Sequence, residues 1–122
     1  MPKKVLIVED YEDTRNFMKF LLEGYGYKVF EATDGQEAVD SVKQHFPDLV
    51  LMDMAMPQMD GLTATKIIRN YNGTSKLPPI IAVTAHGESY YKKAIEAGCD
   101  DLINKPLDFA KLDSILHQYL SP

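Results

Sequence analysis

Glu9-Asp10, Asp53, Thr84 and Lys105 are the residues of this chain best placed to do chemistry, because each stands where an apolar run stops. Val5-Leu6-Ile7-Val8 leads into Glu9-Asp10, Leu49-Val50-Leu51-Met52 into Asp53, Ile80-Ile81-Ala82-Val83 into Thr84, and Leu102-Ile103-Asn104 into Lys105. If those runs are strands of one sheet, its edge gathers three carboxylates, a hydroxyl and an ammonium. Crowded carboxylates must take up protons or recruit a cation. Lys105 supplies one positive charge, and a divalent ion would offset the rest. The donors are all oxygen with no Cys or His cluster beside them, which suits Mg²⁺, or Mn²⁺ in its place, better than zinc or copper. A carboxylate beside such an ion, with a lysine and a hydroxyl, is equipped for phosphoryl transfer in which the carboxylate is the nucleophile. Each residue alone has a plainer account: a strand-end Asp caps a helix or turn, Thr84 fills a strand position, Lys105 is a solvated cation. Delivery of all of them to one edge by separate segments favours the chemical account.

The elements that must deliver them are legible from hydrophobic spacing. The four runs are apolar without alternation, as strands of a parallel sheet covered on both faces are. Tyr27 to Ala32 reads as a fifth, more mixed strand nearer an edge. Between them, Phe17, Met18, Leu21 and Leu22 have helical spacing before Gly24 and Gly26. Ala38, Val39, Val42 and Phe46 follow Asp34, which with Glu37 resembles a capping box, and stop before Pro47. Ala64, Ile67, Ile68 and Tyr71 follow Asp60-Gly61 and end near Gly73; Tyr91, Ala94 and Ile95 end at Gly98; Leu112, Ile115, Leu116 and Tyr119 follow Asp108. Five strand-then-helix repeats predict an α/β fold, a three-layer doubly wound (βα)5 parallel sheet with right-handed crossovers. In such sheets ligands bind outside the carboxyl ends of the strands, where the candidate residues fall. Thr74 to Pro79 reads as a loop, and nothing divides residues 1–122 into more than one domain.

Composition narrows the function classes. The 122 residues carry 13 Lys+Arg against 18 Asp+Glu, a net charge of −5, and are 45% hydrophobic, which describes one globular domain. The acidic balance repels phosphate backbones and disfavours direct nucleic-acid binding. Cys99, the single cysteine, forms no internal disulfide, and Val5 to Val8 is too short for a secretory core or membrane span. A soluble, cytoplasmic protein is expected.

The ordered set Val8-Glu9-Asp10, Asp53-Met54-Ala55-Met56-Pro57 with Asp60-Gly61, Val83-Thr84-Ala85, Ala97-Gly98 and Lys105-Pro106 resembles the receiver domain of two-component response regulators, along the whole chain. The resemblance implies a flavodoxin-like strand order, 2-1-3-4-5, in a single domain of the chemotaxis-regulator kind. It implies that Asp53 accepts a phosphoryl group from a histidine kinase or phosphotransfer protein. It further implies that Mg²⁺ is held by Asp10, Asp53 and the Ala55 carbonyl, with Glu9 acting through water, that Lys105 and Thr84 contact the phosphoryl group, and that Lys105-Pro106 is cis. A phosphorylation switch read by a downstream protein through the fourth helix, fifth strand and fifth helix follows, with no enzymatic activity beyond its own phosphorylation and dephosphorylation. The switch aromatic of the family is replaced by Leu102, and the positions two after Asp53 and Thr84 are Ala55 and His86. Of the adjacent Tyr90 and Tyr91, one is expected to be exposed.

Rival readings fit less well. A Mg²⁺-dependent phosphatase with an aspartate nucleophile needs a second acid where Ala55 stands. A flavin phosphate would be repelled by Glu9, Asp10, Glu12 and Asp13. Met52, Met54, Met56 and Met59 are better core fillers than copper ligands. The chain stops at Ser121-Pro122, after the last helix, as a stand-alone regulator or a piece of a longer one would.

Overall fold

The branched apolar runs form the strands of a computed structural model that describes residues 2–56, 59–71 and 77–121. Strands β1 (Lys4–Val8), β2 (Lys28–Ala32), β3 (Leu49–Asp53), β4 (Ile80–Thr84) and β5 (Asp101–Asn104) alternate with five helices. These are α1 (Glu12–Gly24), α2 (Gly35–His45), α3 (Gly61–Arg69), α4 (Gly87–Ala97) and α5 (Phe109–Leu120). All strand pairs are parallel, in the order β2-β1-β3-β4-β5. Pro57, Gly73, residues 74–76 of the expected loop and Pro122 lie outside the described residues; 77–79 carry no regular structure.

Successive strand residues point to opposite faces, and both faces are covered, which is why the runs show no polar alternation. Leu6, Val8, Val50, Met52, Ile80 and Ala82 pack against Ala38, Val39 and Val42 of α2, Ala64 and Ile68 of α3 and Ala94 of α4. On the other face Val5, Ile7, Leu49, Leu51, Ile81, Val83 and Ile103 meet Met18 and Leu22 of α1 and Leu112, Ile115 and Leu116 of α5. Each fully buried Leu or Ile contributes about 1.5–3 kcal/mol relative to exposure. Among the strands only β2, at an edge, exposes charged residues, Lys28 at its start and Glu31 within it, matching its mixed sequence.

Side-chain caps set three helix starts. The carboxylates of Asp34, Asp60 and Asp108 accept from the N–H groups of Glu37, Thr63 and Lys111 at 2.8, 2.8 and 3.1 Å. Glu37 returns its carboxylate to the Thr33 N–H at 2.9 Å, one residue before the cap, so the expected box is shifted by one position. α4 ends at Gly98, in the left-handed region at φ 116°. α2 ends in the same region at Phe46, φ 50°, where a bulky side chain is uncommon.

Candidate functional site

The chain leaves β1 for β2 on one side and returns to β3 on the other, so a crevice opens between the carboxyl ends of β1 and β3. Glu9 and Asp10 follow β1, Asp53 ends β3, Thr84 ends β4 and Lys105 follows β5. One carboxylate oxygen each from Glu9, Asp10 and Asp53 lie within 4.8 Å of one another. Lys105 Nζ donates to Glu9 Oε1 at 2.7 Å and stands 3.5 Å from Asp53 Oδ2. Lys105-Pro106 is cis.

Local sequence explains the close assembly. Gly61 begins α3 directly against the end of β3; a Cβ there would strike the Asp53 carbonyl oxygen and approach Met54 Cε to 2.6 Å. The Asp60-Gly61 pair thus caps α3 and lets it approach the end of β3.

The electrostatics follow from burial. Asp53 is 5% exposed and Glu9 2%, whereas Asp10 is exposed. Burial first, and then the Glu9 charge, push Asp53 up to about 7, against the Ala55 N–H that donates to Oδ1 at 3.2 Å. Burial also works to raise Glu9, but hydrogen bonds led by Lys105, with the Tyr11 N–H at 3.2 Å among them, hold it below the ordinary carboxylate value. For Lys105, burial disfavours the ammonium, yet Glu9 and Asp53 raise its pKa overall. Asp53 is therefore the carboxylate of the buried pair that holds a proton more readily when no cation is bound. An all-oxygen donor set with one solvent-facing carboxylate fits a hard divalent ion.

Thr84, 2% exposed, accepts the His86 N–H on Oγ1 at 3.1 Å. Leu102 is 8% exposed within the core, with no aromatic ring in its place. Tyr90 packs partly buried against that core, and Tyr91 is the exposed tyrosine of the pair. Arg15, which sequence spacing did not single out, donates from Nη1 to the Glu9 carbonyl oxygen at 3.0 Å. Helical wrapping, rather than any motif, brings it there.

Residues 5–117 match the response regulator receiver domain. The chain belongs to that family. As a receiver domain it is similar over 121 residues to the polar-differentiation response regulator DivK of Brucella anthropi, with 36% identity and 98% of each chain covered. It is 43% identical over 121 residues to the hybrid signal transduction histidine kinase G of Dictyostelium discoideum, of whose length it spans 4%. The receiver domain of the Pseudomonas aeruginosa sensor histidine kinase PA1611, solved with magnesium in its active site cleft, superposes at TM-score 0.88 with 32% identity over 100% of both chains. The Saccharomyces cerevisiae Ssk1 receiver domain, solved with the histidine phosphotransfer protein Ypd1, superposes at 0.89 with 30% identity, over 97% of this chain and 88% of that one. The flavodoxin-like order read from the resemblance is the order of the sheet. The chain is a receiver domain of two-component or phosphorelay signalling, a signalling switch by class, and the phosphatase reading is not favoured. Among the described residues no helix is long and apolar enough to cross a membrane.

Proposed function

We propose that Asp53 is the phosphoacceptor. The observation that carries this is the convergence of Glu9, Asp10 and Asp53 oxygens within 4.8 Å, with Lys105 bridging Glu9 and Asp53. An Asp53 carboxylate oxygen attacks the phosphorus of a phosphohistidine; the P–N bond breaks and its electron pair stays on the imidazole. Asp10, Asp53 and the Ala55 carbonyl would hold Mg²⁺, with Glu9 acting through water, and the ion supplies charge neutralisation for the phosphoryl oxygens. Lys105 offsets charge on those oxygens, and the Thr84 hydroxyl donates a hydrogen bond to one of them. The donor is a histidine kinase or phosphotransfer protein, in keeping with the partner of the Ssk1 receiver domain. Exposed Phe17 and Phe109, whose rings meet edge to face at 6.0 Å beside Lys105, offer it apolar ground.

Residues 1–122 act as one unit in the cytoplasm, and phosphorylation shifts the balance between two conformations. A downstream protein reads α4, β5 and α5, where Tyr91 is exposed. The chain catalyses only its own phosphorylation and dephosphorylation; Ala55 offers no acid for a phosphatase leaving group. Incubation with Mg²⁺ and a small acyl phosphate, followed by intact mass measurement, should add one phosphoryl group to the wild type and none to Asp53→Asn. Equal gain in the Asn variant would remove Asp53 from this role.

A further inference from the structure

Arg15 lies one turn into α1, and its guanidinium is held at both ends. Nη1 donates to the Glu9 carbonyl oxygen at 3.0 Å, and Nε stands 3.4 Å from Glu31 Oε1 on the neighbouring strand β2. Its side chain is only 15% exposed. Lys19 Nζ, one turn further along α1, is 3.5 Å from the other Glu31 oxygen, so the carboxylate that anchors Arg15 is itself anchored. A planar fork fixed in this way orients the group it donates to better than a flexible ammonium does.

The carbonyl that Arg15 holds belongs to the peptide joining Glu9 to Asp10. The Glu9 carboxylate has supports of its own in Lys105 Nζ and the Tyr11 N–H. Asp10 is exposed, and none of the described residues donates a hydrogen bond to its carboxylate. The aim of that carboxylate into the crevice therefore depends on the peptide plane that carries it. Resting on the metal site proposed above, we propose that Arg15 is a positioning residue for the divalent cation, orienting Asp10 through the Glu9 carbonyl.

Electrostatics alone predicts the opposite sign. A positive charge close to a cation site repels the ion, so deleting Arg15 would strengthen Mg²⁺ binding if charge were its whole contribution. A purely structural contribution would lower stability and leave the affinity of the folded protein unchanged. Positioning alone requires that deletion weaken Mg²⁺ binding.

The test is a calorimetric titration of the full chain with Mg²⁺ alone, for wild type, Arg15→Met, Arg15→Lys and Glu31→Gln. Thermal melts in EDTA establish that each is folded, and initial rates of phosphoryl uptake from an acyl phosphate are followed across a Mg²⁺ series. Arg15→Met should bind Mg²⁺ about tenfold more weakly and need about tenfold more for half-maximal uptake, with the saturating rate within about twofold of wild type. Arg15→Lys, which keeps the charge without the fork, should behave like Arg15→Met, and carries the test if the Met variant does not fold. Glu31→Gln keeps an acceptor for Nε and should bind as wild type does. Mg²⁺ affinity unchanged or increased in a folded Arg15 variant overturns the proposal, as does full recovery in Arg15→Lys. A wild-type chain that takes up neither Mg²⁺ nor a phosphoryl group overturns the acceptor reading as well, a result distinct from either.

Discussion

A buried carboxylate whose pKa is raised toward neutrality makes the metal-free protein sensitive to pH in a direction opposite to acid denaturation. With Asp53 raised to about 7, its contribution to stability is whole below the ordinary carboxylate value and is lost as pH rises through about 7. Glu9, lowered by its hydrogen bonds, works the other way, and its contribution fades only as pH falls below the ordinary carboxylate range. In EDTA the wild type should therefore melt at a lower temperature at about pH 8 than at about pH 5, and Asp53→Asn should lose most of that difference. A melting temperature that rises over the same interval would contradict the protonated Asp53. At this scale the sequence told residue types well: Glu9, Asp10, Asp53, Thr84 and Lys105 all reach one edge. It did not tell pairings. That Lys105 donates to Glu9 rather than first to Asp53, and that Arg15 holds the Glu9 carbonyl, depends on side-chain reach between elements, which spacing along the chain does not encode.

The elements were legible because β1, β3 and β4 are buried on both faces and each helix shows one apolar stripe. Their contacts at the ends were less so. Asp60-Gly61 reads as a helix start in sequence, but only the structure shows that α3 abuts the Asp53 carbonyl. Gly61→Ala should cost about 1–3 kcal/mol in a urea titration, and should slow phosphoryl uptake by displacing Asp53, the proposed acceptor. Phe46 is the converse case. Its side chain is 54% exposed and its backbone left-handed, a conformation that costs most side chains about 1–2 kcal/mol and that Asn tolerates. Phe46→Asn should accordingly raise the melting temperature and leave Mg²⁺ binding unchanged.

At the scale of the whole molecule, ligand linkage joins site and stability. On the proposed metal site, Mg²⁺ would bind the assembled edge and not the unfolded chain, so a concentration of 100 times its dissociation constant should add about 2.7 kcal/mol, reversed by EDTA. The gain should be smaller at about pH 5, where Asp53 holds a proton the ion must displace. Global topology, order 2-1-3-4-5 included, came from the resemblance together with the repeat of strand and helix; composition alone would have left the strand order open. The ion pair between Lys105 and Glu9 spans a separation of 96 residues, nearly the whole chain. Neither terminal half of the molecule owns the candidate site: a proteolytic fragment ending before β5 has Asp53 without Lys105, and one beginning at α1 lacks Glu9 and Asp10. On the proposed role of Asp53, phosphoryl uptake would report long-range closure, and in urea it should vanish at the same midpoint as helical circular dichroism.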